Sequence, residues 1–282
     1  MDPENDSYRR NFVTQLERAA ARNDVALRWK SDGWVAELRA SHRRCHVVGY
    51  NFPVNDAASA LAADDKVATS VLLTHDGVPN VPHALLRLHH YESVADAARP
   101  LPLPVVVKPL SGSGGRDVIR ADTRARLLDA LKLLEPAHRA LAVCPWVPVR
   151  HEYRVVVLHA QPLLVFEKHL DRPAPDPSVR PWDERFEWRH NLKHGTSALV
   201  LDEPHLCGRL TDVARQAMVA LGLRFGSVDI VDCGGELSVI EVNSGVCLER
   251  FSSQSEAYFA LAQRVYESAV AACFSPPPQV SG

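Results

Sequence analysis

The spacing of apolar and polar residues along the chain switches repeatedly between a helical and a strand period. Tyr8 to Asn23 is amphipathic and predicts a helix, and strand-like pieces such as Val35 to Leu38 follow between Asp24 and His46. His46-Val47-Val48-Gly49-Tyr50 reads as a short strand that ends in a turn at Asn51-Phe52-Pro53. Asn55 to Leu61 and Asp65 to Asp76 predict two helices, with Asp64 or Asp65 available to cap the second. Gly77-Val78-Pro79 interrupts the pattern before a strand at Val81 to Leu86, and Val94 to Arg99 can form a helical turn ahead of the proline-rich Pro100 to Pro104.

Val105-Val106-Val107 is β-branched and apolar, the pattern of a strand covered on both faces. A second short strand follows at Val118 to Arg120. Thr123 to Leu134 is a helix with Leu127, Leu128, Leu131 and Leu134 on one face. Strands are predicted at Leu141 to Val147, Tyr153 to His159 and Leu163 to His169, with Gln161-Pro162 as the hairpin turn between the last two. Asp171 to Pro181 holds four prolines and reads as a loop. Pro204 to Leu221 is helical, and strands at Phe225 to Asp232 and Leu237 to Val242 are joined by a turn at Cys233-Gly234-Gly235-Glu236. Ser255 to Cys273 is a last helix, and Ser275 to Gly282 is expected to be a disordered tail. The chain is therefore a mixed α/β protein without internal repeats.

Composition narrows the class. An apolar fraction of 46% over 282 residues is enough for more than one core. A formal charge of -2, from 32 basic and 34 acidic residues, argues against a nucleic-acid-binding protein while leaving room for a local basic patch. No apolar run approaches the length of a membrane helix, and the acidic start Met1-Asp2-Pro3-Glu4 is unlike a secretory signal, so a cytoplasmic protein is expected. The six cysteines are far apart, without a CxxC pair, and read as reduced thiols. His42-Arg43-Arg44-Cys45-His46 is half a metal site at most, and as no second ligand cluster accompanies it, it reads as a solvated turn.

Two stretches carry chemistry. Lys108 ends the valine strand and has no obvious place in a core, and Ser111-Gly112-Ser113-Gly114-Gly115 after it offers backbone amides to an anion. Serine and glycine are also ordinary hairpin material. In the second stretch, Asp229, Glu241 and Asn243 can share one face of a strand pair. Carboxylates among valines and isoleucines carry a desolvation cost that a cation or a hydrogen-bonding partner must offset, and such oxygen ligands suit magnesium. The competing reading has Asp229 capping a turn and Glu241 paired with an arginine.

Taken together, the motifs resemble those of the ATP-grasp carboxylate–amine ligases, of the type that includes ribosomal-protein glutamate ligases and glutathione synthetases. The similarity runs from Asp64 to about Phe251. Asp65-Lys66 before Gly77-Val78-Pro79, Val107-Lys108-Pro109 with Gly112-Ser113-x-Gly115, Glu152-Tyr153-Arg154-Val155, Trp188-Arg189-His190-Asn191-Leu192 with Gly195, and Asp229 with Glu241-Val242-Asn243 occur in the family's order. The chain departs from the pattern in three places: Asp117 stands where many members have glycine, Cys144-Pro145-Trp146-Val147 replaces the usual Gln-Glu hinge, and Ser244-Gly245 follows Asn243 where a proline-glycine is common.

The resemblance implies an ATP-grasp fold in which two α+β subdomains, 63–144 and 145–274, sandwich the nucleotide behind a small amino-terminal α/β domain, 1–62. It implies ATP with Mg2+ or Mn2+ as cofactors. Lys66, Lys108, Ser111, Gly112, Ser113 and Gly115 would meet the phosphates, Pro145, Trp146 and Val147 the adenine, Glu152 the ribose, and His190 the same nucleotide site. Asp229, Glu241 and Asn243 would hold the metal, and Arg154, Arg189 and Asn191 would act on the reacting groups. Lys168 and Arg172 border the proline-rich loop and are candidates for a substrate carboxylate, a solvated loop cation being an equal reading; for Glu152, a hairpin salt bridge is an equal reading. The reaction implied joins a small-molecule carboxylate to an amine through an acyl phosphate, without nucleic-acid or membrane partners and in a homo-oligomer. An enzyme adding an amino acid to a peptide or protein is the alternative, and a catalytically silent nucleotide-binding module the third.

Overall fold

The computed structural model describes residues 10–41, 43–112, 115–170 and 196–275. Ser113, the loop 171–181, Arg172, the motif around Arg189, His190 and Asn191, Gly195, His42 and the tail 276–282 fall outside the described residues. Three antiparallel sheets organise the rest.

The first sheet follows helix α1 (Asn11–Arg22) and has the strand order β1 (Ala26–Trp29), β2 (Val35–Ala40), β3 (Arg43–Val48). Its strands alternate: Leu27, Trp29, Ala36, Leu38, Cys45 and Val47 turn inward, and Arg28, Glu37, Arg39, Arg44 and His46 turn outward. The segment expected as a solvated turn at Arg43 to His46 is thus a strand, because Cys45 and Val47 at period two find a core.

Helices α2 (Ala57–Asp64) and α3 (Lys66–His75) follow. Asp65 caps α3 by accepting from the amides of Val67 and Ala68, an arrangement that contributes about 1 kcal/mol to such helices. The second sheet is built from β4 (Ala84–Arg87), β5 (Val105–Pro109), β6 (Ile119–Ala121) and β7 (Ala140–Pro145) in the order β4-β7-β5-β6. One face packs on α4 (Val94–Ala98) and α5 (Arg124–Leu134) through Val105, Val107, Leu127, Leu131, Leu141 and Val143. Its other face presents Val106, Lys108 and Cys144.

The third sheet is made of β8 (His151–Leu158), β9 (Gln161–Leu170), β10 (Thr196–Val200), β11 (Phe225–Asp232) and β12 (Leu237–Asn243), in the order β10-β9-β8-β11-β12. Helix α6 (Pro204–Ala220) covers one face, with Leu210, Ala214, Ala217 and Met218 against Tyr153, Val155, Val228 and Ile230. Part of the opposite face packs on α1 and on α8 (Glu256–Phe274) through Phe166, Phe225 and Tyr266, each buried aromatic contributing roughly 1.5–3 kcal/mol. A short α7 (Glu249–Ser252) precedes α8.

Most predicted elements stand within a few residues of their expected limits, but the β8–β9 turn moves. It is made by His159 and Ala160, both at positive φ (48° and 62°), as a two-residue hairpin of the type whose twist matches the strands. Pro162 lies in β9 opposite Val157, beside a bulge where a missing N–H is tolerated. Strand β10 and helix α7 were not expected. The strand expected from Val81 begins at Ala84, because residues 79–81 bond instead to β12, the Val81 amide to Val239 O and the Val239 amide to Pro79 O, both at 2.9 Å.

Candidate functional site

One face of β11 sets the site out in order. Phe225 lies in the core shared with α1 and α8, Ser227 and Asp229 follow, and Val231 joins Val81, Val106 and Cys144 in an apolar cluster between the second and third sheets. Along that line the surface passes from core, through a polar step, to an apolar cleft floor.

The polar step is a row across three strands. Asp229 on β11 has Arg154 of β8 as its cross-strand partner on one side and Glu241 of β12 on the other. Arg154 holds both Asp229 oxygens as a fork, Nε to Oδ1 and Nη2 to Oδ2 at 2.7 Å each. Lys168 of β9 adds an ion pair to Asp229 Oδ2 at 2.8 Å and a short one to Glu152. Asp229 is only 1% exposed. Burial pushes its carboxyl upward, but Arg154 and Lys168 more than offset this and hold it at about 2. Glu152 is pushed above the usual range by burial, Lys168 opposing and Asp229 adding to the rise. The charge partners of Asp229 thus follow from burial: an unpaired carboxylate in this position would be strongly unfavourable.

Glu241 and Asn243 lie on the same face at the more open edge. Lys66, at the first turn of α3, sits 3.4 Å from Glu241 Oε1 and donates to Gly112 O at 3.2 Å, so one buried ammonium links the metal-motif strand to the glycine loop. Gly112 has φ +125°, a conformation closed to most side chains. Lys108 is buried on the cleft side of β5. Nearby His83 donates from Nδ1 to Val81 O at 2.8 Å; its Nε2 has no partner, and burial together with Lys108 and Lys66 drives its pKa down to about 3. Its imidazole is therefore neutral near pH 7 and turns a free lone pair into this region.

At the apolar end Trp146 packs on the Val81–Val106–Cys144–Val231 cluster with Val147. The guanidinium of Arg120 lies 3.8 Å from its ring centroid and is itself held by Asp122. The Trp146 amide is already engaged by Pro104 O at 3.1 Å. Pro145 ends β7 at the surface, and Ser111 is exposed at the start of the loop.

Of the residues singled out from the sequence, the fold brings Arg154, Glu152, Asp229, Glu241, Asn243 and Lys66 together, places Lys108 on the same side of the cleft, and sets Trp146 at its apolar end. Arg189, His190, Asn191 and Ser113 lie outside the described residues. Sequence reasoning missed Ser227, His83 and Arg120. Ser227 is the cross-strand partner of Asn243, and the Ser227 hydroxyl and Asn243 Nδ2 are both buried without a partner. The signal for Ser227 was its place two residues before Asp229.

No protein-family profile matches the chain. The chain is similar to proteins named "Probable alpha-L-glutamate ligase", at 26% identity over 217 residues in Histophilus somni strain 2336, which spans 76% of this chain and 67% of that protein, and at 25% over 224 residues in Pasteurella multocida strain Pm70. Among solved structures it is similar to D-alanine–D-alanine ligase from Bacillus anthracis, with a TM-score of 0.57 and 18% identity over 76% of this chain and 70% of that one. The same ligase complexed with ATP gives a TM-score of 0.56 over 68% of its length. The chain is thus similar in sequence to glutamate ligases and shares the ATP-grasp fold of a D-alanine–D-alanine ligase. The ATP-grasp fold expected from the motifs is the one observed, and ATP-dependent carbon–nitrogen ligation is the enzyme class these relatives support.

The donor set fits a divalent cation of the kind ATP-grasp chemistry requires. Two carboxylates and an amide oxygen are hard ligands on adjacent strands. Glu241 and Asn243 are the open members, Asn243 offering its Oδ1 as the hard ligand. Both oxygens of Asp229 are committed to Arg154 and Lys168, each keeping lone-pair capacity. Glu241 and Asn243 would hold the ion, with Asp229 behind them.

Proposed function

We propose that the chain is an ATP-dependent ligase that forms an amide or peptide bond between small amino-acid-like substrates through an acyl phosphate. The observation that carries this reading is the row Arg154–Asp229–Glu241, continued by Lys66 to the carbonyl of Gly112. Buried positive charge, an oxygen-rich edge and a glycine loop meet at one place.

In this reading lobes 63–144 and 145–274 enclose the nucleotide. Its base occupies the apolar end against Trp146, and Lys66 and Lys108 take up charge from the phosphates. When bound, magnesium or manganese supplies neutralisation of the phosphate charge. Lys66 exchanges its contacts with Glu241 and Gly112 for phosphate oxygens, which frees Glu241 to serve as a ligand. The γ-phosphoryl group moves from ATP to a substrate carboxylate oxygen and ADP leaves; the amine then attacks the carbonyl carbon and gives up a proton, the C–N bond forms, and phosphate leaves with the C–O electron pair. No protein nucleophile is required, since positioning and charge stabilisation suffice. Arg189 and Asn191 are assigned to the reacting groups, with Arg154, and His190 to the nucleotide site, by family resemblance.

The names of the relatives make glutamate and D-alanine the first substrates to test. ADP release is measured with ATP, magnesium and mixtures of carboxylic acids and amines. Substrate-stimulated release supports the ligase; nucleotide binding without stimulation by any mixture favours a binding module.

A further inference from the structure

The outer face of the amino-terminal sheet is strongly basic, although the whole chain carries a formal charge of -2. Sheet order brings together residues far apart in sequence. Arg28, Glu37 and His46 form one cross-strand row, Arg39 and Arg44 stand opposite each other in the next, and Lys30 flanks the first. Four fixed positive charges surround a single carboxylate. The contacts to Glu37 are long: Lys30 at 3.4 Å, Arg39 at 3.7 Å, His46 at 3.8 Å and Arg44 at 3.9 Å. Arg39 and Arg44 keep 60% of their side-chain surface exposed, while Glu37 keeps 11%. Glu37 is thus an internal anion that gathers the cations and leaves most of their hydrogen-bonding capacity facing outward.

We propose that this face docks an acidic, carboxylate-rich polypeptide segment. Charge complementarity specifies the ligand. The outward positions of the three strands hold no Phe, Tyr or Trp on which nucleobases could stack. The longer strands, at six residues each, span about 20 Å, a length suited to a short extended segment, and β1 and β3 are sheet edges. The chain that leaves β3, at the end of the sheet away from Arg39 and Arg44, reaches the strand end that carries Asn243. Just beyond β3, Tyr50 O accepts from the Val246 amide at 3.2 Å and the Asn51 side chain meets Ser244 at 3.3 Å, next to Asn243. The docking rests on the face itself and is independent of the ligase reading.

The test measures binding of fluorescent oligoglutamate and oligoglutamine peptides to the full chain in the absence of ATP. Oligoglutamate is expected to bind at least about tenfold more tightly, to weaken with added salt, and to lose about tenfold in the Arg39→Glu/Arg44→Glu variant, with circular dichroism and ATP affinity unchanged. Equal binding of the two peptides, or oligoglutamate binding untouched by the charge reversal, overturns the proposal. So does tighter binding of a single-stranded oligonucleotide or of anionic vesicles. A gain of about tenfold on deleting residues 1–9, which include Asp2, Glu4 and Asp6, would assign the face to the chain's own segment instead. If the peptide binds and no ADP is released with any substrate, the docking stands and the ligase reading fails.

Discussion

Asp229 and Glu37 are each a carboxylate ringed by cations, and they behave in opposite ways. Asp229 is sealed in the third sheet, with a two-pronged arginine and a lysine at 2.7–2.8 Å, so its oxygens are committed and its charge is cancelled locally. Around Glu37 every contact lies at 3.4 Å or beyond, solvent screens each pair, and positive charge is left over. The same residue types therefore make a rigid internal strut in one place and an outward-facing electrostatic surface in the other. Burial and register decide which.

The largest effect is expected beside the strut, where Glu241 extends the row toward the open edge. Glu241→Ala should lower turnover by roughly 10³-fold while the unfolding midpoint stays unchanged, because Glu241 is part exposed and its Lys66 contact is long. Full activity in that variant would remove Glu241 from the metal set. Asp229→Asn should act on the fold itself: leaving Arg154 and Lys168 around a neutral amide costs about 3–5 kcal/mol in urea unfolding. The wild-type strut also has an acid signature. Because the folded carboxyl of Asp229 titrates at about 2, below its ordinary 3.8, its contribution is present at neutral pH and is lost as pH falls through that interval. That loss amounts to about 2 kcal/mol and should be missing from Asp229→Asn. Glu152, raised by burial, takes its proton first on the way down. At the other pole, Glu37→Gln should leave thermal stability unchanged within error; a loss comparable to that of Asp229→Asn would erase the contrast between the two rings.

Local sequence was enough to find Lys108, Asp229, Glu241 and Asn243, since alternation along one strand fixes which side chains share a face. It was not enough to pair them. That Arg154 grips Asp229 depends on the register of β8 against β11, set by residues 75 positions apart. Lys168, expected near a substrate carboxylate, meets Glu152 across the β8–β9 hairpin and Asp229 beyond it. The hairpin turn was misplaced because nothing in His159-Ala160 advertises positive φ, whereas Gln161-Pro162 looks like a turn and is tolerated in a bulged strand. The basic face was invisible for a related reason: its charges alternate with core residues in three separate strands and become one surface only when β1, β2 and β3 align.

Glu249 ties the two ends of this order together. Its carboxylate accepts from the amides of Asn11 and Phe12, at 2.9 and 3.1 Å, and from the Tyr50 hydroxyl at 3.2 Å, so the first helix takes its missing N-terminal cap from a residue more than two hundred positions downstream. On the ribosome, α1 emerges more than two hundred residues ahead of Glu249 and must wait for it before its opening turn is satisfied. The amino-terminal unit is in that sense finished last, like an arch whose first stone is locked by the keystone.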